Sequence, residues 1–290
     1  MLYTIENQTI KVVIDSLGGE MMSVKTKQDD CEYLWQGDPA YWSGRAFHLF
    51  PICGRLFEGK YTYQGKTYEM KIHGFLRASE LKVTQQSVDA ITFECCANEE
   101  TRSQYPFEFR FVLGYRLEGS TIVVDFRVEN QDDKTLIFTL GGHPGFGLPL
   151  EDDLSFEDYS VHFDVDVPEK MLFSPTCFIT GETEPFALKN RTLAMQHSLF
   201  DNDAIFLCNA GKSVTLRSDK GCKGVTVTCP DMKYLGMWHK PQSEAPYVCL
   251  EPWLGIPSYD GKVDDLETKR DMIHLPSGES FASGFTVTVF

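Results

Sequence analysis

Four runs between residues 91 and 140 place apolar side chains at every second position: Ile91, Phe93 and Cys95; Phe107, Phe109, Phe111 and Leu113; Ile122, Val124, Phe126 and Val128; Leu136, Phe138 and Leu140. Residues two apart share one face of a strand, so each run predicts a strand with one face to bury. A lone sheet would leave those faces in water, whereas two antiparallel sheets stacked on one another bury them. The expected architecture is therefore all-β, a large twisted antiparallel β-sandwich with very few short helices. Helical spacing is a weak competitor, because the best candidates, around Pro168 to Phe173 and His197 to Asp203, are shorter than a typical helix.

The remainder of the chain reads the same way. Short strands are expected at 3–5, 10–14 and 22–25, with Gly18-Gly19 between the second and third. Residues 61–70 predict a hairpin turning at Gln64-Gly65. The polar segment 129–134 predicts a tight turn that continues a meander into the run at Leu136. Residues 151–192, broken by Pro168, Pro175 and Pro185, predict loops and short strands; strand patterning returns at 204–208, 213–216, 225–228, 234–238, 247–251 and 285–290. No Pro/Gly/Ser-rich linker, charge block or repeat divides the chain, so residues 1–290 are expected to form one domain.

Composition narrows the ligand. The net charge of -15 disfavours nucleic acid and anionic membrane surfaces, and a neutral or small polar ligand fits better. The N-terminal sequence lacks a cationic start and an apolar run, and no stretch is long enough to span a membrane, which predicts a cytoplasmic protein. Nine scattered cysteines without a C-x-x-C pair are the pattern of reduced thiols.

The chemistry is expected at strand ends marked by Gly, Pro and aromatics. Residues 140–149 set His143 among four glycines and two prolines. Glycine permits close approach, and Pro144 holds His143 extended. Thr139, Gly141 and His143 would share a polar, open face opposite Leu136, Phe138 and Leu140. Similar strand ends carry Gly54-Arg55, His73-Gly74 with Arg77 close behind, Asp203, Trp238, and Glu251-Pro252-Trp253. Bracketing by Leu250, Trp253 and Leu254 would desolvate Glu251 and raise its pKa toward that of a general base. Taken alone, Glu251 reads first as one half of a cross-sheet ion pair, and Trp253 first as sheet packing.

As an ordered set, Gly54-Arg55, His73-Gly74, the run at 141–146, Asp203 and Glu251-Pro252-Trp253 resemble the aldose 1-epimerases, or galactose mutarotases, over nearly the whole chain. The resemblance implies a galactose mutarotase-like supersandwich that interconverts the anomers of a free hexose without cofactor or metal. Position by position, it implies Glu251 as the base that deprotonates the anomeric hydroxyl and His143 as the acid that protonates the ring oxygen. His73 resembles the second histidine on the sugar oxygens, and Arg55 and Asp203 the residues holding the remaining hydroxyls; Asp201, of the same parity, competes with Asp203. Phe146, Trp238 and Trp253 are candidate platforms for the sugar's C–H face. Gly54 replaces the asparagine of galactose-specific members, leaving the sugar open.

A related group acts on hexose 6-phosphates, for which Arg55 and Arg77 offer cations, although solvated strand ends also explain Lys71 and Arg77. The oligomer expected is a monomer or homodimer. Competing readings are a two-histidine, one-carboxylate metal enzyme on His73, His143 and Glu251, a glycosidase using Asp203 with Glu251, and a non-catalytic sugar-binding protein. The first is disfavoured because metal sites usually draw two ligands from one short segment.

Overall fold

The first three alternating runs build the largest of five sheets in the computed structural model, which describes residues 1–290. That sheet has nine strands, with Lys82–Gln86, Ala90–Cys96, Phe109–Glu118, Thr121–Asn130 and Ser280–Val289 as consecutive neighbours from one edge. A second sheet of seven strands is ordered Ile179–Pro185, Glu169–Phe173, Ile205–Cys208, Tyr234–Trp238, Tyr247–Trp253, Gly141–Gly147, Ala46–Leu49. The architecture is the expected all-β sandwich. Its one α-helix, Glu99–Gln104, spans 6 residues and starts at an Asn98 cap that accepts from Thr101 N–H at 2.9 Å. Sequence patterning did not flag it, because a helix this short carries no apolar stripe.

Between the sheets lies a core cluster of 64 buried residues running from Ile5 to Val289. Phe109, Phe111, Phe126 and Phe285 contribute from the nine-stranded sheet, and Phe146, Val248 and Leu250 from the seven-stranded one. The hairpin at Lys60–Glu69 turns at Gln64-Gly65, both at positive φ, as its sequence predicts.

Two expectations change. Segment 129–134 is not a hairpin turn: Thr121–Asn130 pairs with Phe109–Glu118 and Ser280–Val289, while Leu136–Phe138 leaves the sheet to pair with Ile273–Leu275. Both edges of the third strand are already taken, so the fourth run cannot join it. Nor is residues 135–141 one strand with an open face. The ladder breaks after Phe138, and Thr139 is fully buried, its N–H donating to Pro51 O at 2.8 Å. No helix is long and apolar enough to cross a membrane.

Candidate active site

The seven-stranded sheet turns its second face toward a pocket. Along Tyr247–Trp253 the even residues Val248 and Leu250 enter the main core, and the odd residues Tyr247, Cys249, Glu251 and Trp253 project on the other side. There Glu251 sits between two small apolar clusters, one holding Tyr247 and Cys249 and the other Phe47, Phe206 and Trp253. Register brings the partner across. Gly141 pairs with Trp253 and Gly145 with Cys249, so His143 falls beside Glu251, and Phe47 pairs with His143 from the next strand. Gly236 lies opposite Glu251 on the far side and leaves the carboxylate room.

His143 Nε2 and Glu251 Oε2 stand 3.2 Å apart, each side chain less than a tenth exposed. Burial pushes the Glu251 carboxyl well above the usual carboxylate range, and the Asp203 charge adds to the rise. Burial, with the Arg77 guanidinium nearby, pulls His143 down to about 3. Burial thus favours the uncharged form of the pair, with the proton on the carboxyl. The two groups lie side by side, not on opposite sides of the ligand space.

His73 joins them, its ring 5.3 Å from that of His143 and itself driven well below its ordinary pKa by burial. Gly54 N–H donates to His73 Nδ1 at 3.2 Å, which fixes the ring proton on Nε2 as a donor. Asp203 is held at its rim position by Arg55, 3.0 Å from Oδ2, and by the Trp238 indole N–H, 2.9 Å from Oδ1. Asp201 is exposed and contributes nothing here, so the competition between the two aspartates resolves to Asp203. Arg77, exposed on the 3-10 turn Leu76–Ala78, lays its guanidinium 4.2 Å over the Phe47 ring and has no carboxylate partner; Lys71 is exposed in the loop before it. Trp253 both packs, 5.0 Å from Phe206, and lines the pocket, where its Nε1 is a buried donor without a protein acceptor.

Phe146 does not belong to the site. It is fully buried in the main core, because its parity is opposite to that of His143 on the same strand. The glycines around His143 likewise admit protein rather than ligand: a side chain on Gly145 would meet the Trp42 ring at 2.9 Å and Cys249 Sγ at 3.3 Å.

Sequence reasoning missed Trp42, Phe47, Phe173 and Cys177, which also line the pocket. Trp42 lies 5.1 Å from the His143 ring and 5.6 Å, edge to face, from Trp238. The cavity measures about 190 Å³, the scale of one sugar ring, and brings together every predicted site residue except Phe146. A larger groove of about 1430 Å³ adjoins it through Arg55 and Ile72 but reaches none of His73, His143 and Glu251.

A buried acid–base pair, aromatic walls and a rim of hydrogen-bonding groups are what a polyol ring with one reacting centre requires. Comparison with known proteins decides the lineage: the family model described as aldose 1-epimerase matches residues 1–261. The chain belongs to the aldose 1-epimerase family. It is 32% identical to the LacX proteins of Lactococcus lactis, across all of this chain and 99% of theirs. A galactose mutarotase related enzyme from Lactobacillus acidophilus superposes with a TM-score of 0.95 at 39% identity, covering 100% of this chain and 97% of that one. A galactose mutarotase-like protein from Lactobacillus casei gives 0.94 at 31%, with both chains covered in full. Within this epimerase family, residues 1–261 include every group placed in the pocket.

Proposed function

We propose that the protein is a mutarotase acting on a free hexose, with Glu251 and His143 as its acid–base pair. The observation that carries this reading is their 3.2 Å separation in a ring-sized pocket. The anomeric hydroxyl and the ring oxygen are attached to one carbon, so two groups side by side reach both. Passage of the resting proton from carboxyl to imidazole arms the pair. Glu251 then takes the proton from the anomeric hydroxyl, His143 delivers one to the ring oxygen, and the C1–O5 bond breaks to the open aldehyde. Rotation about C1–C2 and closure with the proton roles reversed give the other anomer.

In this reading His73 Nε2–H and the Trp253 indole N–H donate to sugar oxygens. Arg55 and Asp203, locked together and to Trp238, hold hydroxyls at the rim, and Trp238 with Trp42 walls the C–H face. All of this proceeds without a cofactor.

The unpartnered Arg77 favours a second reading, in which the hexose carries a 6-phosphate, since a guanidinium at the pocket with no carboxylate partner matches a phosphate oxyanion. Polarimetry on freshly dissolved α-D-glucose, α-D-galactose and glucose 6-phosphate tests both. Faster equilibration by wild type, lost in Glu251→Gln and His143→Asn, supports the assignment, and the preferred sugar separates the two readings. A wild-type rate equal to buffer with all three sinks it.

A further inference from the structure

We infer that His143, Cys249 and Glu251 form a latent site for a soft divalent transition metal such as Zn²⁺, and that its occupancy switches the acid–base pair off. The ligand atoms of these three residues lie within 4.8 Å of one another, and all three residues are buried. Two come from one short segment: Cys249 and Glu251 are two positions apart on one strand and share a face. The third comes from the adjacent strand, where Gly145 pairs with Cys249. His73, His143 and Glu251 are too widely spaced in the chain to offer two ligands from one segment; the fold substitutes Cys249 and supplies the missing close pair.

The donor types choose the ion. Thiolate, imidazole and carboxylate together suit zinc, which takes three protein ligands and a fourth water or substrate oxygen at tetrahedral geometry, whereas Mg²⁺ and Ca²⁺ prefer all-oxygen shells. Bonds of about 2.0–2.3 Å to one ion fit the His143–Glu251 pair as it stands, at 3.2 Å, and require only the Cys249 thiol to draw in. Entry is through the pocket, which His143 and Glu251 line, with the fully buried Cys249 behind them. Binding releases the thiol proton and the proton of the resting pair to solvent, and no electrons move. With imidazole nitrogen and carboxylate both bound to the ion, neither can exchange a proton with a sugar.

The functional consequence rests on the mutarotase reading, but the binding does not, and Co²⁺ separates the two. Titrating wild type with Co²⁺ is expected to raise a thiolate-to-metal charge-transfer band in the near ultraviolet that Cys249→Ser abolishes. In polarimetry, Zn²⁺ is expected to inhibit wild type and Mg²⁺ to leave it untouched. Measured against its own metal-free rate, Cys249→Ser should need more than about tenfold more Zn²⁺ for the same inhibition, since losing even an outer-shell partner costs 10–100-fold in metal affinity. Should the buried hydroxyl unfold that variant, Cys249→Ala serves the same purpose. The inference is overturned if wild type shows no such band, if the band or the Zn²⁺ sensitivity persists unchanged without Cys249, or if Cys177→Ser, removing the thiol at the pocket rim, is what abolishes them. A protein that fails to speed mutarotation yet shows the Cys249-dependent band loses the functional reading and keeps the metal site.

Discussion

The two large sheets bury their residues in different patterns, and the difference divides stability from chemistry. In the nine-stranded sheet, Phe109–Glu118 and Thr121–Asn130 largely alternate buried and accessible positions: one face meets the core and the other meets water. In the seven-stranded sheet, all of Tyr247–Trp253 and all but the last residue of Gly141–Gly147 are buried. One of its faces joins the same core, and the other carries Phe47, His143, Trp238 and Glu251 and forms the pocket together with Trp42, His73 and Asp203 from outside the sheet. A sheet covered on both sides gives a carboxylate a desolvated place to stand. A sheet wetted on one side does not.

The largest effect expected from breaking this arrangement is on rate. Glu251→Gln should lower kcat/KM by roughly 10²–10⁴-fold, the usual contribution of a positioned acid or base. It should also stabilise the fold. A carboxyl whose folded pKa stands above its unfolded value supports the native state fully below the unfolded value, near 4.5, and loses that support as pH rises through the folded one. Glutamine has no proton to lose, so the gain in Tm should grow between pH 4 and pH 8 by calorimetry. A variant equally inactive but less stable at pH 8 would contradict the buried, strained carboxyl.

The pH profile sharpens the same point. One proton is shared by the pair, so kcat/KM should fall when a second is added, near pH 3 as His143 titrates, and when the first is lost, well above the carboxylate range. Between these limits the profile should pass through 6.5 without inflection. An inflection near 6.5 would mean that the imidazole is solvated.

The converse cut falls on the other sheet. Phe111 is fully buried there, 4.9 Å from Phe50 and 5.9 Å from Phe126. Phe111→Ala should destabilise by about 3–5 kcal/mol in urea unfolding while leaving kcat/KM within about twofold below its Tm. A matching loss of activity in the folded variant would show that the core transmits strain to the pocket.

This contrast also explains what the sequence made legible. Alternation is the signal of a half-wetted strand, so the runs at 91–95, 107–113 and 122–128 announced the nine-stranded sheet and the sandwich with it. The central site strands have no wet face and hence weak alternation; short apolar runs marked 204–208, 234–238 and 247–251 as strands, and the Gly, Pro and ionisable residues marked their ends. That was enough to find His73, His143, Glu251, Arg55 and Asp203, which carry the resemblance, but it was blind to packing partners. Phe47 faces His143 through register with a distant strand, and Trp42 reaches it across a glycine, so neither leaves a local trace. Phe146 was misplaced for want of the parity rule applied to its own strand. Cys249 shares the parity of Glu251 and so its strand face, but nothing in the sequence distinguishes a thiol beside a carboxylate from one in the core.

The smallest expected effect tests the comparison from its quiet side. Thr215 and Thr226 face each other across adjacent strands of the nine-stranded sheet, their hydroxyls 2.9 Å apart on the half-exposed face. Water can replace either partner there, so Thr215→Val should shift stability by no more than about 0.5 kcal/mol. Gly145→Ala adds a single methyl on the other sheet, yet it must push against Trp42 and Cys249 together. It should therefore raise KM by moving the wall beside His143, even where the fold accommodates the atom. If Thr215→Val disturbs the protein as much as Gly145→Ala, the two sheets do not differ as their burial implies. The division between a supporting sheet and a reacting one would then fail.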